Sequence, residues 1–306
     1  MLKKIMNLHE EVTHSRLRSV CENYGALVYP KIRLADVFSI EGSGISRGNY
    51  RFALQSHFDF LVTDDKHQPM FAIEFDGFSH RDEAQKRRDA IKNRLCDKFE
   101  LPLLRINSNY LLKKYRNMDL LSWFVEVWFL AEGFYEAQES GQIPYDEPFD
   151  PFNLSISDRD EMFPLDLTVD VLLEIERLHE EGRCKDHRPS HFVGTDEKGN
   201  YHGIAYLRMD NNAGVFAETA MRNQNFPGGK MSLAGDLEPM LSDLLADIVI
   251  HELYEKLLEV LENKSQALPL SYIHDEFKFF TASIKFMWAS TIEGGNLVNN
   301  NSAFSL

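Results

Sequence analysis

Apolar positions along the chain change their spacing several times, and each change marks an element. From His9 to Tyr24 they recur at helical intervals, with Leu17, Val20, Cys21 and Tyr24 on one side. "ALVYPKIRL" reads as an edge strand, because Pro30 has no N–H to give a ladder. "SIEGSGISRGNYRFALQ" carries Gly42, Gly44 and Gly48 and reads as a loop. "SHFDFLVT" and "MFAIEFD" then predict two strands joined by "DDKHQP". Helical spacing returns from Arg81 to Phe99, with Ala84, Ile91, Leu95 and Phe99 inward, and "LPLLRI" is a short buried strand. A long apolar helix covers Leu120 to Ala137.

The periodicity lapses in "SGQIPYDEPFDPFNLS", which holds a glycine, three prolines and acidic residues. That lapse divides the chain into an N-terminal α/β domain over 1–138, a linker over 139–153 and an α+β domain over 154–292. A flexible tail over 293–306 follows. In the second domain, Val169 to Glu181 is an amphipathic helix ending at Gly182, a suitable left-handed cap. "DEKGN" separates two strand-like runs as a hairpin turn, and Pro239 to Asn263 is a long helix with its proline in the first turn.

Composition narrows the function classes. A formal net charge of −15 argues against a general nucleic-acid coat protein, though it leaves room for a local basic stripe. The three cysteines are scattered and odd in number, which implies no disulfide framework and suits a reducing cytoplasm. The segment Leu120–Phe134 is too short for a bilayer and holds Glu126 and Glu132, so no membrane association is expected.

One stretch resists a purely structural reading. "FAIEFDGFSH" begins as core strand and then places Glu74 and Asp76 on one face, where an unpaired carboxylate is costly. A hairpin symmetric about Lys66 and His67 puts Asp59 directly opposite Glu74, with Cβ atoms roughly 5 Å apart. Carboxylates at that spacing repel unless a cation lies between them, and Mg²⁺ or Mn²⁺ suits such oxygen donors. The alternative is a surface hairpin with a solvated polar face. The next helix carries Gln85, Asp89 and Lys92 on one face.

This order of elements resembles the PD-(D/E)XK nuclease superfamily over about Glu10 to Ile106. Within it, the chain looks closest to a family of unassigned function related to the very-short-patch-repair endonucleases. The matching pieces are Asp59-Phe60, "IEFDGFSH", "QKRRDAIK" and "ELPLLRI", with "YPKIRLADVF" upstream. The resemblance implies a restriction-endonuclease-like mixed sheet flanked by helices. It implies phosphodiester hydrolysis with Mg²⁺ or Mn²⁺, on nucleic acid, with DNA the expected substrate. Asp59 and Glu74 would hold the metal, with the Phe75 carbonyl and an acidic residue of the first helix, Glu10 or preferably Glu11. Asp76 stands where the superfamily has lysine, so Lys92 and Gln85 would substitute from the helix, with His80 assisting proton transfer. Lys86 and Arg88 lie on the basic face "RDEAQKRRDAIKNR", which suits phosphate tracking or simply solvation. A different class of reading is a catalytically inactive module of the same fold that binds nucleic acid or a protein.

Two weaker signals remain. "HEEGRCKDHRPSH" offers His179, Cys184, His187 and His191, but their spacing matches no strong zinc pattern. Trp123 and Trp128 on the helix 120–137 suit core packing or a contact with a protein partner or a second copy.

Overall fold

The computed structural model describes residues 6–76, 83–151, 166–222, 237–284, 286–293 and 296–299. They form a mixed α/β protein, and the chain divides at Phe149/Asp150 into two compact units.

The first unit opens with α1 (Leu8–Cys21). Asn7 and Glu10 close a capping box at its start, each side chain taking the other's backbone N–H. Then follow β1 (Leu27–Arg33), α2 (Leu34–Val37), α3 (Arg47–Gln55), β2 (His57–Thr63), β3 (Pro69–Phe75), α4 (Glu83–Lys98) and β4 (Leu103–Ile106). The sheet order is β1-β2-β3-β4, antiparallel except for the parallel pair β3–β4, which α4 connects. Pro30 thus lies on the edge strand, as its missing N–H requires. Arg47–Gln55 corrects the expected loop. Ser46 caps its start by accepting from the Asn49 N–H, and Ala53 is fully buried, so the helix is set by a cap and an apolar face despite the nearby glycines.

The hairpin has the expected register through Phe60↔Ile73, Leu61↔Ala72 and Val62↔Phe71. It then slips by one residue between Val62 and Thr63 as it enters the turn. Asp64 organises that turn by accepting from the backbone N–H groups of Lys66 and Gln68. One core cluster joins Leu34, Phe38, Ala53, Phe58, Leu61, Ala72, Leu95 and Leu103, so α2, α3 and α4 cover one face of the sheet.

Beyond α5 (Asn109–Leu112) and the short β5 (Lys114–Tyr115) and β6 (Met118–Asp119), α6 (Leu120–Glu139) meets the sheet through Trp128, whose ring lies 4.8 Å from that of Phe71. Trp123 and Trp128 are both buried in this unit, so the face offered for a second copy is core. A helix apolar on nearly every side belongs inside a domain. Residues expected as the start of a linker instead fold back on α6. Gln138 donates from Nε2 to the carbonyls of Pro144 and Glu147, and Phe149 packs on Phe134 and Tyr135.

The second unit contains α7 (Val169–Glu180), β7 (Ser190–Thr195), β8 (Tyr201–Arg208), β9 (Ala213–Met221), α8 (Leu237–Leu261), β10 (Leu268–Pro269), α9 (Leu270–Ser283), β11 (Phe286–Glu293) and β12 (Asn296–Asn299). Its strands make an antiparallel sheet in the order β10-β9-β8-β7-β11-β12. Alternation sorts Ala205, Leu207, Val215 and Ala217 toward α7 and α8, and Phe192, Ile204 and Phe216 toward α9. Gly182 takes the left-handed cap after α7, at φ 70°. The hairpin at "DEKGN" forms as expected, with Asp196 accepting from the N–H groups of Lys198 and Asn200. The tail expected to be flexible from 293 includes β12, paired with β11. Among the described residues, no helix is long and apolar enough to cross a membrane.

Candidate metal and phosphate site

The β2–β3 ladder is paired up to Phe60↔Ile73, and one step further brings Asp59 opposite Glu74. There the side chains take over the hydrogen bonding. Asp59 accepts at Oδ2 from the Phe75 N–H, 2.9 Å away, and its own N–H reaches Glu74 Oε1 at 3.3 Å. The two carboxylates therefore converge at the end of a paired hairpin. A fully formed ladder would have satisfied those N–H groups with backbone carbonyls instead.

Each carboxylate meets a lysine. Lys92 of α4 places Nζ 2.6 Å from Glu74 Oε2 and 2.8 Å from the His57 carbonyl, above the Phe58 ring. Lys31 of β1 places Nζ 2.6 Å from Asp59 Oδ1 and 2.7 Å from Glu10 Oε1. Glu74 and Lys92 are each only 8% exposed, so this is a buried ion pair whose desolvation is costly. Burial drives the Glu74 carboxyl up to about 7. Lys92 opposes the rise and Asp59 adds to it. Burial would lower the pKa of Lys31, but its bonds to Asp59 and Glu10 outweigh that and hold the ammonium above its ordinary range.

A second cluster adjoins the first. Arg105 stands beside Glu74 in the β3–β4 register, places Nη1 3.0 Å from Asp76 and 3.5 Å from Asp89, and donates to Asn93. Gln85 donates to Asp89 at 3.0 Å. The helix face Gln85–Asp89–Lys92 is thus divided. Asp89 and Gln85 serve the arginine, and Lys92 alone reaches Glu74. Lys92 is held by Glu74 and the His57 carbonyl, not by the Asp89 that shares its helix face.

The remaining candidates fall as follows. Glu11 lies on α1, but the link from α1 to Asp59 runs through Glu10. Lys86 and Arg88 are exposed, with Lys86 paired to Glu83 at 2.6 Å. His80, with the turn after Asp76, lies outside the described residues. In the second unit, the Cys184 thiol is pushed up to about 11 by burial and points at backbone carbonyls, which is the state of a packed thiol rather than a ligand.

Sequence reasoning missed Lys31 and Arg105, and it preferred Glu11 where the structure brings Glu10 to Lys31. The signal was a lone charge inside an apolar strand: Lys31 within "VYPKI" and Arg105 within "LLRI". A cation there needs a buried anion, and the anions were already in hand.

A family model described as a protein of unknown function (DUF2726) matches residues 2–119, well under half of the chain. Comparison with curated proteins and with solved structures returned no match.

Proposed function

We propose that the first unit is a divalent-metal-dependent nuclease that hydrolyses phosphodiester bonds, with DNA as the substrate class and the second unit contributing specificity or a partner contact. The observation that supports this reading most is the convergence of Asp59 and Glu74 at the end of the β2–β3 ladder, with Lys92 against Glu74.

The donor set fits a hard cation. Asp59 and Glu74 are hard oxygen donors joined through the Asp59 N–H, and the carboxyl of Glu74 is driven up by burial and by Asp59, the condition a divalent ion relieves. Three carboxylates, those of Glu10, Asp59 and Glu74, stand against two ammonium groups, those of Lys31 and Lys92, leaving one net negative charge. Asp59 and Glu74 would hold Mg²⁺ or Mn²⁺, which supplies Lewis acidity toward a phosphate oxygen and toward water. Lys92 is fixed by the His57 carbonyl as well as by Glu74, so its ammonium is aimed without the substrate's help and can orient water or stabilise charge developing on phosphate. Arg105 holds Asp76 and Asp89 together and so keeps β3 and α4 in place beneath that lysine. His80 remains a candidate for proton transfer, and Lys86 and Arg88 for phosphate contacts.

A second reading has its own observation. Each carboxylate already has a cationic partner, as an inactive nuclease-fold module binding nucleic acid or protein would require. Purified full-length chain, incubated with single- and double-stranded DNA and RNA in Mg²⁺, in Mn²⁺ and in EDTA, separates the two. Metal-dependent cleavage, abolished in Asp59→Asn and Glu74→Gln with far-UV circular dichroism unchanged, is the expected result. Cleavage at the parent rate by either variant rejects the assignment.

A further inference from the structure

Lys31 has an unusual backbone. Its φ is 56°, in the left-handed region, although it lies inside a strand. That conformation is unfavourable for an L-residue, and a lysine side chain, unlike that of Asn or Asp, is not suited to offset it with a local hydrogen bond. The β1–β2 register runs through Pro30↔Phe60 and resumes at Ile32↔Phe58, so the twist falls at the position facing Asp59. The result is an ammonium delivered to Asp59 Oδ1 at 2.6 Å, on one of the two carboxylates that the nuclease reading needs for metal.

Its second partner is itself anchored. Glu10 takes Lys31 on Oε1 and the Asn7 N–H on Oε2, at 2.7 and 2.9 Å, so its carboxylate is held at the start of α1. Lys31 can therefore release Asp59 without losing all its compensation. Lys92 differs. It is buried to 8% exposure against Glu74 and its other partner is a neutral carbonyl, so among the described residues no second anion is paired with it.

We propose that Lys31 is a built-in counter-cation. It neutralises Asp59 while no metal is bound, competes with the divalent ion for Oδ1, and withdraws onto Glu10 when the ion binds. Lys31 thereby sets metal affinity as a positioning residue of the site. This inference rests on the metal-site reading above.

The test is Mn²⁺ binding by isothermal titration calorimetry on the full-length chain without nucleic acid, alongside melting temperature with and without Mn²⁺. Lys31→Met should lower the melting temperature of the metal-free protein, yet bind Mn²⁺ about fivefold to tenfold more tightly, as expected when a partly exposed ion pair no longer competes. Lys31→Gly should do the same with less risk to folding, because glycine accepts the positive φ. Glu10→Gln should weaken Mn²⁺ binding a few-fold, and that weakening should largely vanish in the Lys31→Met background, because Glu10 acts through Lys31. If the parent binds Mn²⁺ and Asp59→Asn does not, but both Lys31 variants bind no more tightly than the parent, the counter-cation is rejected and the metal site stands. If the parent shows no Mn²⁺ binding, or Asp59→Asn binds as the parent does, both ideas fall.

Discussion

Each unit withdraws a carboxylate from water, and the two are satisfied in opposite ways. In the first unit Glu74 meets the Lys92 ammonium at 2.6 Å, with Asp59 and Lys31 close by. In the second, Asp247 of α8 accepts from the Leu167 N–H at 2.9 Å, a neutral backbone donor just before α7. Burial also raises the Asp247 carboxyl well above the usual range, helped by Asp166 and Asp243. Backbone donors are fixed and make Asp247 a clasp between the segment before α7 and α8. A lysine is a movable charge on a long stem, and a carboxylate held by one can exchange it for another cation. The comparison teaches that burial alone does not mark a site; the kind of partner does.

The largest expected effect breaks the charged member of the comparison. Lys92→Met leaves Glu74 buried without its cation and should cost about 3 kcal/mol in urea unfolding followed by tryptophan fluorescence. It should also remove most of the metal-dependent cleavage. The double variant Glu74→Gln/Lys92→Met should be less destabilised than the two single costs added together. Strict additivity would mean that the two side chains are not coupled.

An intermediate effect concerns pH. His191, on β7, has its Nδ1 sealed from solvent without a hydrogen-bond partner among the described residues, and burial lowers its pKa from 6.5 to about 4. Between those values the unfolded chain takes up the proton on this group and the folded one does not, so the contribution of His191 to stability rises with pH across the window and is lost as pH falls from 6.5 toward 4. Melting curves across that window should differ in slope between the two proteins, the parent losing more stability than His191→Phe as pH falls. An equal slope in both would assign the acid sensitivity elsewhere.

The smallest effect should come from Asp247→Asn. The amide oxygen still accepts from the Leu167 N–H, and no charge is stranded, so the loss should stay under about 1 kcal/mol. A loss as large as that of Lys92→Met would erase the distinction between the two carboxylates.

The hairpin, its register and the reach of Lys92 were legible in the sequence because strand alternation and helical spacing are local rules. Opposing Asp59 to Glu74 needed only a turn centre. Lys31 was announced only by its lone charge inside an apolar strand; the positive φ it adopts has no local pattern to announce it. Arg105 was overlooked because its partners Asp76, Asp89 and Asn93 come from β3 and α4, elements that only the parallel crossover brings beside β4. The helix Arg47–Gln55 was hidden by flanking glycines that weaken propensity without preventing a capped turn.

The helix α6 carries a consequence for how this chain could be divided or inherited. The sequence match to a family stops at residue 119, immediately before the helix begins. Yet Trp128 covers Phe71, Phe129 stacks on Tyr24, and Glu126 takes the Tyr24 hydroxyl, so among the described residues α6 joins α1 in covering the far side of the sheet and closes the end of α1. A polypeptide ending at Asp119 would keep every residue of the candidate site and still present a wide oily face to water. The stretch that similarity recognises and the stretch that can stand alone in solution are different lengths, and the minimal autonomous piece runs at least through Glu139.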